Sequence, residues 1–169
     1  ISKDLLTSSA CEELYMEVKK KNLNVEILVN NAGFGLHGFF NETDLKKETD
    51  MIELNINLLS KLSKLFLKDM VQNKKGKILN TASTAAYFPG PLMSVYYATK
   101  AYVVSFSHAL ACELKRSGVT VSALCPGFTE SDFHKNAEID FKRASDMLRM
   151  PAERVAKTAY QGLMRHKQI

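Results

Sequence analysis

Three side chains set the chemistry to consider: Ser83, Tyr96 and Lys100, all within the segment STAAYFPGPLMSVYYATK that spans residues 83–100. Tyr96 and Lys100 are four apart where a helix begins, so they share one helix face. An ammonium beside a phenol favours the phenolate and moves a tyrosine pKa from about 10 toward neutrality. A tyrosine placed that way is a general acid and base at physiological pH. A serine hydroxyl nearby can hold a carbonyl oxygen. Taken without their surroundings, the same residues also read as a core aromatic and a surface lysine. Tyr97, three residues before Lys100, competes with Tyr96.

The elements that must position these residues alternate. Residues 8–22 predict a helix, with Leu14 and Val18 at helical spacing. Val25 to Val29 predicts a short strand that enters Asn30-Asn31-Ala32-Gly33. Thr43 or Asp44 caps a long helix to about Asn73. Lys77 to Thr81 is a second strand, 95–116 a second long helix, and Val119 to Cys125 a third strand closed by Pro126-Gly127. The tail is helical, with Pro151 in its first turn. Such alternation predicts an α/β fold with parallel strands and right-handed crossovers. The strands VEILV and VTVSALC are apolar throughout, so helices are expected on both faces.

The chain has 169 residues, 46% apolar and 24% charged, which suits one soluble globular domain and excludes disordered and fibrous classes. No stretch reaches the roughly 18 uncharged apolar residues of a membrane span. The net charge of +5 is scattered, and Lys19–Lys21 and Lys74, Lys75, Lys77 fall where helices end. No zinc-finger or aromatic RNA-binding signature accompanies it, so nucleic acid is not an expected partner. Cys11, Cys112 and Cys125 are far apart, which predicts reduced thiols, no metal site and a cytoplasmic protein.

Gly33-Phe34-Gly35-Leu36-His37-Gly38 matches G-x-G-x-x-G after a strand. A phosphate turn of that kind needs a helix that starts at the motif. Here the cap comes only at Thr43 or Asp44, so the glycines are read as an exit from the strand. The helix 44–73 carries two apolar stripes, Ile52, Ile56, Leu59, Phe66 and Leu54, Leu58, Leu62, Leu65. One can face the sheet; the other needs a second partner, which suggests a homodimer or homotetramer through helices 44–73 and 95–116.

Taken together, these motifs resemble the short-chain dehydrogenase/reductase family. That family has a Ser, a Tyr thirteen residues on and a Lys four later, the intervals of Ser83, Tyr96 and Lys100. It has N-N-A-G after its fourth strand, as in Asn30 to Gly33, and an Asn in the next helix, as at Asn55 in LNIN. Pro126-Gly127 and Asp4-Leu5 match two further family positions.

The resemblance implies a Rossmann-like, doubly wound three-layer fold and hydride transfer between NAD or NADP and a carbonyl or alcohol of a small molecule. Tyr96 would move the proton. Lys100 would lower its pKa and bind the nicotinamide ribose. Ser83 would orient the substrate oxygen. Asn55 would hold a relay water by bending its helix locally. Asn30, Ala32 and Gly33 would line the adenosine and ribose side, and Asp4 would reach the adenine. Pro126, Gly127 and Ser131 would meet the nicotinamide end. The Ser–Tyr interval selects Tyr96 over Tyr97, which becomes a packing or wall residue.

Phe34, Phe39, Phe88, Pro89, Met93 and Phe128 are candidates for an apolar substrate wall, and residues 132–150 for a substrate lid. His37 is a candidate substrate contact, whereas His108 reads as a helix-surface residue. The family's first strand and its T-G-x-x-x-G-x-G turn have no match here, nor does the position that chooses between NAD and NADP. The chain is thus expected to be the rear two-thirds of such a domain, with about 60 residues before it. A non-catalytic module that acts by association is the alternative.

Overall fold

The computed structural model describes residues 1–133, Ala137 and 149–167. Helix α1 spans Ala10–Lys20, with Glu12 and Glu13 in its first turn and Lys19 and Lys20 in its last. Those charges complement the helix dipole. Helix α2, Leu45–Ile52, is capped by Asp44, whose carboxylate accepts from the Lys47 amide at 2.8 Å. A π-helical turn, Glu53–Leu58, follows and leads into α3, Leu59–Gln72.

The π turn alters the reading of the two apolar stripes. A π turn takes one residue more than an α turn. Positions on either side of it are therefore out of phase, and the stripe Ile52, Ile56, Leu59, Phe66 is split, whereas Leu54, Leu58, Leu62 and Leu65 all pack in one core. Phe66 is buried with Leu62 and Met70 in one core and Leu59 in another with Ala82 and Val103, while Ile52 before the turn stays 40% exposed.

Strands β1 (Ile27–Asn30), β2 (Gly76–Thr81) and β3 (Val119–Leu124) form one parallel sheet in the order β1-β2-β3. Helix α4 covers Ser94–Glu113 and α5 covers Ala152–Met164, with Pro151 at its N-cap. The helices α1, α3 and α4 cover one face. Their core joins Val18, Leu62, Phe66 and Met70 to Ile78, Leu110, Leu114 and Val121. On the other face α5 packs Ala159 and Leu163 on Leu79 and Leu124. The layers are helix, sheet and helix, as expected for this α/β class. Cover on both faces holds for β2 and β3. On β1, the Ile27 and Val29 side chains are 41% and 50% exposed among the described residues.

A line of polar side chains crosses this apolar interior. Asn30 Nδ2 donates to Ser63 Oγ at 3.0 Å and to Asn80 Oδ1 at 2.8 Å. Asn80 Nδ2 donates to Ser107 Oγ at 2.9 Å, and Ser107 donates to the Val103 carbonyl at 2.6 Å. Asn30 and Asn80 are also register partners in the sheet. A one-residue slip would turn Asn30 to the opposite face and strand the others, so the line specifies the register. No helix among the described residues is long and apolar enough to cross a membrane.

Candidate active site

The three parallel strands all end at one edge. There β1 runs into Asn31-Ala32-Gly33, β2 into Ser83 and β3 into Pro126-Gly127. Ligands of open α/β sheets bind outside this edge. The chain encloses a cavity of about 740 Å³ at that place, floored by Gly33, Thr81, Ser83, Tyr96 and Lys100.

Helix α4 begins at Ser94, which puts Tyr96 in its first turn and Lys100 one turn later. Tyr96 is 8% exposed and Lys100 is 6% exposed. The Lys100 ammonium donates to the Thr81 carbonyl at 2.8 Å and stands 5.7 Å from the centre of the Tyr96 ring. Burial holds Lys100 down at about 8, opposed weakly by the Cys125 thiol. Burial also pushes the Tyr96 phenol up, while a hydrogen bond with the Ser83 hydroxyl pulls it the other way. The direction is thus opposite to the lowered phenol expected from sequence. Desolvation is the leading cause for both groups and disfavours both charged forms. The Ser83 hydroxyl accepts from the Ala85 amide at 3.1 Å, which caps the short 3₁₀ turn Thr84–Tyr87.

Asn55 lies inside the π turn, where a local helix distortion was expected. Its side chain is 2% exposed and lies outside the cavity lining. Oδ1 accepts from the Phe34 amide at 3.2 Å, and Nδ2 donates to the Phe34 carbonyl at 3.0 Å. Nδ2 also donates to Thr99 Oγ1 at 3.1 Å. A Cβ built on Gly33 would stand 2.8 Å from Asn55 Oδ1 and 3.6 Å from Lys100 Nζ. Only a residue without a side chain leaves that approach open. The glycine run itself leads to α2 only at Leu45, so it is a strand exit and not a helix-opening phosphate turn.

The other expected site residues divide. Pro126, Gly127 and Ser131 line the cavity. Asp4, Asn30 and Ala32 do not. Asp4 is exposed, and its carboxylate accepts from the Leu6 amide at 3.0 Å. Asn30 faces the helices, bound to Ser63 and Asn80 as above, because side chains alternate along a strand. Its neighbour Asn31 lines the cavity instead and accepts from Thr81 Oγ1 at 3.2 Å.

Phe88, Pro89, Met93 and Phe128 form part of the wall. Phe34 packs against the cluster of Leu36, Met51 and Tyr96, and Phe39 is 62% exposed, so neither lines it. His37 borders a separate small depression with Glu42 and Asp44. His108 is exposed on α4. Sequence reasoning missed Thr129, Ala152, Val155 and Ala156, which complete the wall; Tyr97 and Phe133, the latter at the start of the expected lid region, also line it. The expected lid, 132–150, lies almost entirely outside the described residues.

Comparison with known proteins gives a consistent pattern. A family model described as short chain dehydrogenase matches residues 1–141. A very-long-chain 3-oxoacyl-CoA reductase of Anas platyrhynchos is 33% identical over 138 residues, 78% of this chain and 44% of that protein. The 3-oxoacyl-[acyl-carrier-protein] reductase FabG of Vibrio cholerae is 34% identical over 131 residues, 78% of this chain and 53% of that one. The mouse 17-beta-hydroxysteroid dehydrogenase type 3 is 39% identical over 120 residues, 68% and 39% of the two chains. The chain thus spans about half the length of these relatives or less. A short-chain dehydrogenase of Sphingobium yanoikuyae in complex with NADPH superposes with a TM-score of 0.88 at 29% identity, over 97% of this chain and 63% of that one.

Proposed function

The chain belongs to the short-chain dehydrogenase family, and from that premise we propose that it carries the proton-transfer and substrate-holding part of an NAD(P)-dependent oxidoreductase acting on a carbonyl or alcohol. The observation that carries this reading is the meeting of the Ser83 hydroxyl, the Tyr96 phenol and the Lys100 ammonium on the floor of one cavity.

A nicotinamide dinucleotide fits the residues present. Gly33 leaves open a cradle that a Cβ would fill, next to the Lys100 ammonium. Lys100 has three N–H donors, and one of them is given to Thr81. The others suit ribose hydroxyls. Asn31, Gly127, Thr129 and Ser131 continue the same wall with polar and backbone groups. When bound, the nicotinamide ring supplies or accepts the hydride.

The chain's own groups handle the proton and the substrate oxygen. Ser83 holds the carbonyl oxygen beside the Tyr96 phenol. A phenol held above its ordinary pKa is protonated at neutral pH, the form a proton donor needs. Tyr96 gives that proton to the substrate oxygen during reduction; in the reverse direction the phenolate form, present as the minor species, takes the proton from the alcohol. The Lys100 charge then stabilises the phenolate left behind.

The wall of Phe88, Met93, Tyr97, Phe128, Phe133 and Val155 suits an apolar carbonyl compound, such as a fatty acyl chain or a steroid ketone. The stacked rings of Tyr102 and Phe106, 5.8 Å apart on α4, and the exposed Ile52 support self-association through the α2–α3 and α4 helices. The three free cysteines support a cytoplasmic setting. The test is a spectrophotometric screen of apolar ketones and 3-oxoacyl thioesters with NADH and NADPH. Turnover that Tyr96→Phe removes supports the reading. Absence of both turnover and dinucleotide binding overturns it.

A further inference from the structure

We infer that Thr99 is a positioning residue, whose hydroxyl ties the amide of Asn55 to the first turn of α4 and so sets where Tyr96 and Lys100 stand in the cavity. The inference rests on the proposed oxidoreductase reading for its consequence, but its geometry is independent of that reading.

Thr99 is 1% exposed and lies between Tyr96 and Lys100 in the chain. Its Oγ1 donates to the Tyr96 carbonyl at 2.7 Å. That bond uses the hydroxyl's single proton, so toward Asn55 the oxygen can only accept. Asn55 answers with Nδ2 at 3.1 Å. The same orientation is demanded on the opposite side. The Phe34 amide can only donate and receives Oδ1, whereas the Phe34 carbonyl can only accept and receives Nδ2. Three partners thus agree on one orientation of the Asn55 side chain. The result is a continuous path from the exit of β1, through the π turn, to the main chain of Tyr96.

A threonine bonded back to its own helix is common and by itself would mean little. Two further facts give this one a role. The hydroxyl reaches across to a second helix, and the carbonyl it holds belongs to the residue that would move the proton. The next residue, Lys100, continues the same turn and is anchored on β2 through Thr81. If the Thr99 hydroxyl is lost, Asn55 Nδ2 loses an acceptor in a buried place, and the start of α4 loses its hydrogen bond to the π turn.

The test compares Thr99→Val, which keeps the shape and loses the hydroxyl, with Thr99→Ser, which keeps the hydroxyl. Thr99→Ala serves as a second hydroxyl-free variant. In the full-length protein, Val and Ala are expected to lower kcat about ten- to hundredfold, with KM for substrate changed little. They should also displace the pH profile of kcat. Ser should restore both. A second readout needs no turnover: the side-chain amide pair of Asn55, assigned in the nitrogen-15 spectrum by its loss in Asn55→Asp. It should move in Val and Ala and keep its place in Ser.

Unchanged kcat, pH profile and amide signals in a folded Val or Ala variant would overturn the inference, as would a Ser variant as impaired as Val. Global unfolding of both hydroxyl-free variants would make Thr99 a general structural residue and overturn it too. If the unaltered protein shows no nicotinamide-dependent turnover, the functional reading fails. The Asn55 signals then decide the Thr99 link by themselves.

Discussion

The Lys100 ammonium is hydrogen-bonded to the main-chain carbonyl of Thr81 at 2.8 Å, so the helix that carries Tyr96 is fastened to the carboxyl end of the central strand. This bond is made in a place where burial lowers the lysine to about 8.

That lowering has a consequence for stability. The unfolded chain holds its lysine proton up to about pH 10.4, so between about 8 and 10.4 it binds more protons than the folded chain. Stability therefore rises with pH across that window and is penalised in full below it. Urea unfolding at about pH 7.5 and about pH 9.5 should show a gain of ~1–2 kcal/mol at the higher pH attributable to Lys100. Lys100→Met is expected to remove that gain. An equal pH slope in the variant would refute the assignment.

Tyr96 and Tyr97 are adjacent in sequence and both line the cavity, their ring centres 6.0 Å apart. Only Tyr96 is in hydrogen-bond contact with Ser83. Tyr96→Phe is expected to abolish turnover, and Tyr97→Phe to retain it within about tenfold, an effect on orientation alone. Steady-state kinetics of the two variants decides, and the reverse ranking would transfer the proton to Tyr97.

Gly33 has no room for a side chain on its Asn55 side, where an added Cβ would meet Oδ1 at 2.8 Å. Gly33→Ala is expected to weaken binding of NADH and NADPH about tenfold, since the loop must shift away from Asn55 Oδ1 and out of register with the cavity floor. Fluorescence titration of the reduced dinucleotide measures this. Undiminished affinity would remove Gly33 from the cofactor wall.

Asn80 is fully buried and bonds to Asn30 on one side and Ser107 on the other. Asn80→Leu removes one acceptor from Asn30 and the donor to Ser107 Oγ in a buried place, and is expected to cost ~2–4 kcal/mol in denaturant unfolding. Adding Ser107→Ala should cost less in that background than alone, because the two share one bond. Strictly additive losses would argue against a coupled line.

The alternation of strands and helices, the Asp44 cap and the residues Ser83, Tyr96 and Lys100 were all legible in the sequence, because each has a local signature: a period, a side-chain oxygen before a helix, a fixed interval. The π turn has no such period or cap; only the family resemblance, through Asn55 in LNIN, implies a local bend there, and the stripe Ile52, Ile56, Leu59, Phe66 reads as continuous where the molecule's is broken. Asn30 and Asn31 look interchangeable in sequence. The strand's two-residue period separates them, one into the interior and one into the cavity. Ala152, Val155 and Ala156 were invisible because they reach the site only through the docking of α5 on the sheet, a contact distant in sequence. Thr99 stands in the sequence just before Lys100 with nothing local to mark it. Its meaning arises only from Asn55, which stands on another helix.

The cavity's apolar wall is drawn from residues 88–97, 128–133 and 152–156, whereas the fastenings at Asn55, Thr81 and Thr99 lie outside those segments or, for Thr99, just past the first. On the proposed reading, the apolar wall and the fastenings of the reactive groups are thus written in largely separate stretches, with Tyr96 the residue they share. Substitutions at Phe88, Phe128 or Val155 would then be expected to reshape the accepted molecule and leave the hydrogen bonds at Asn55, Thr81 and Thr99 in place. Selectivity in this scaffold can drift, or be redirected by design, without the chemistry having to be rebuilt each time.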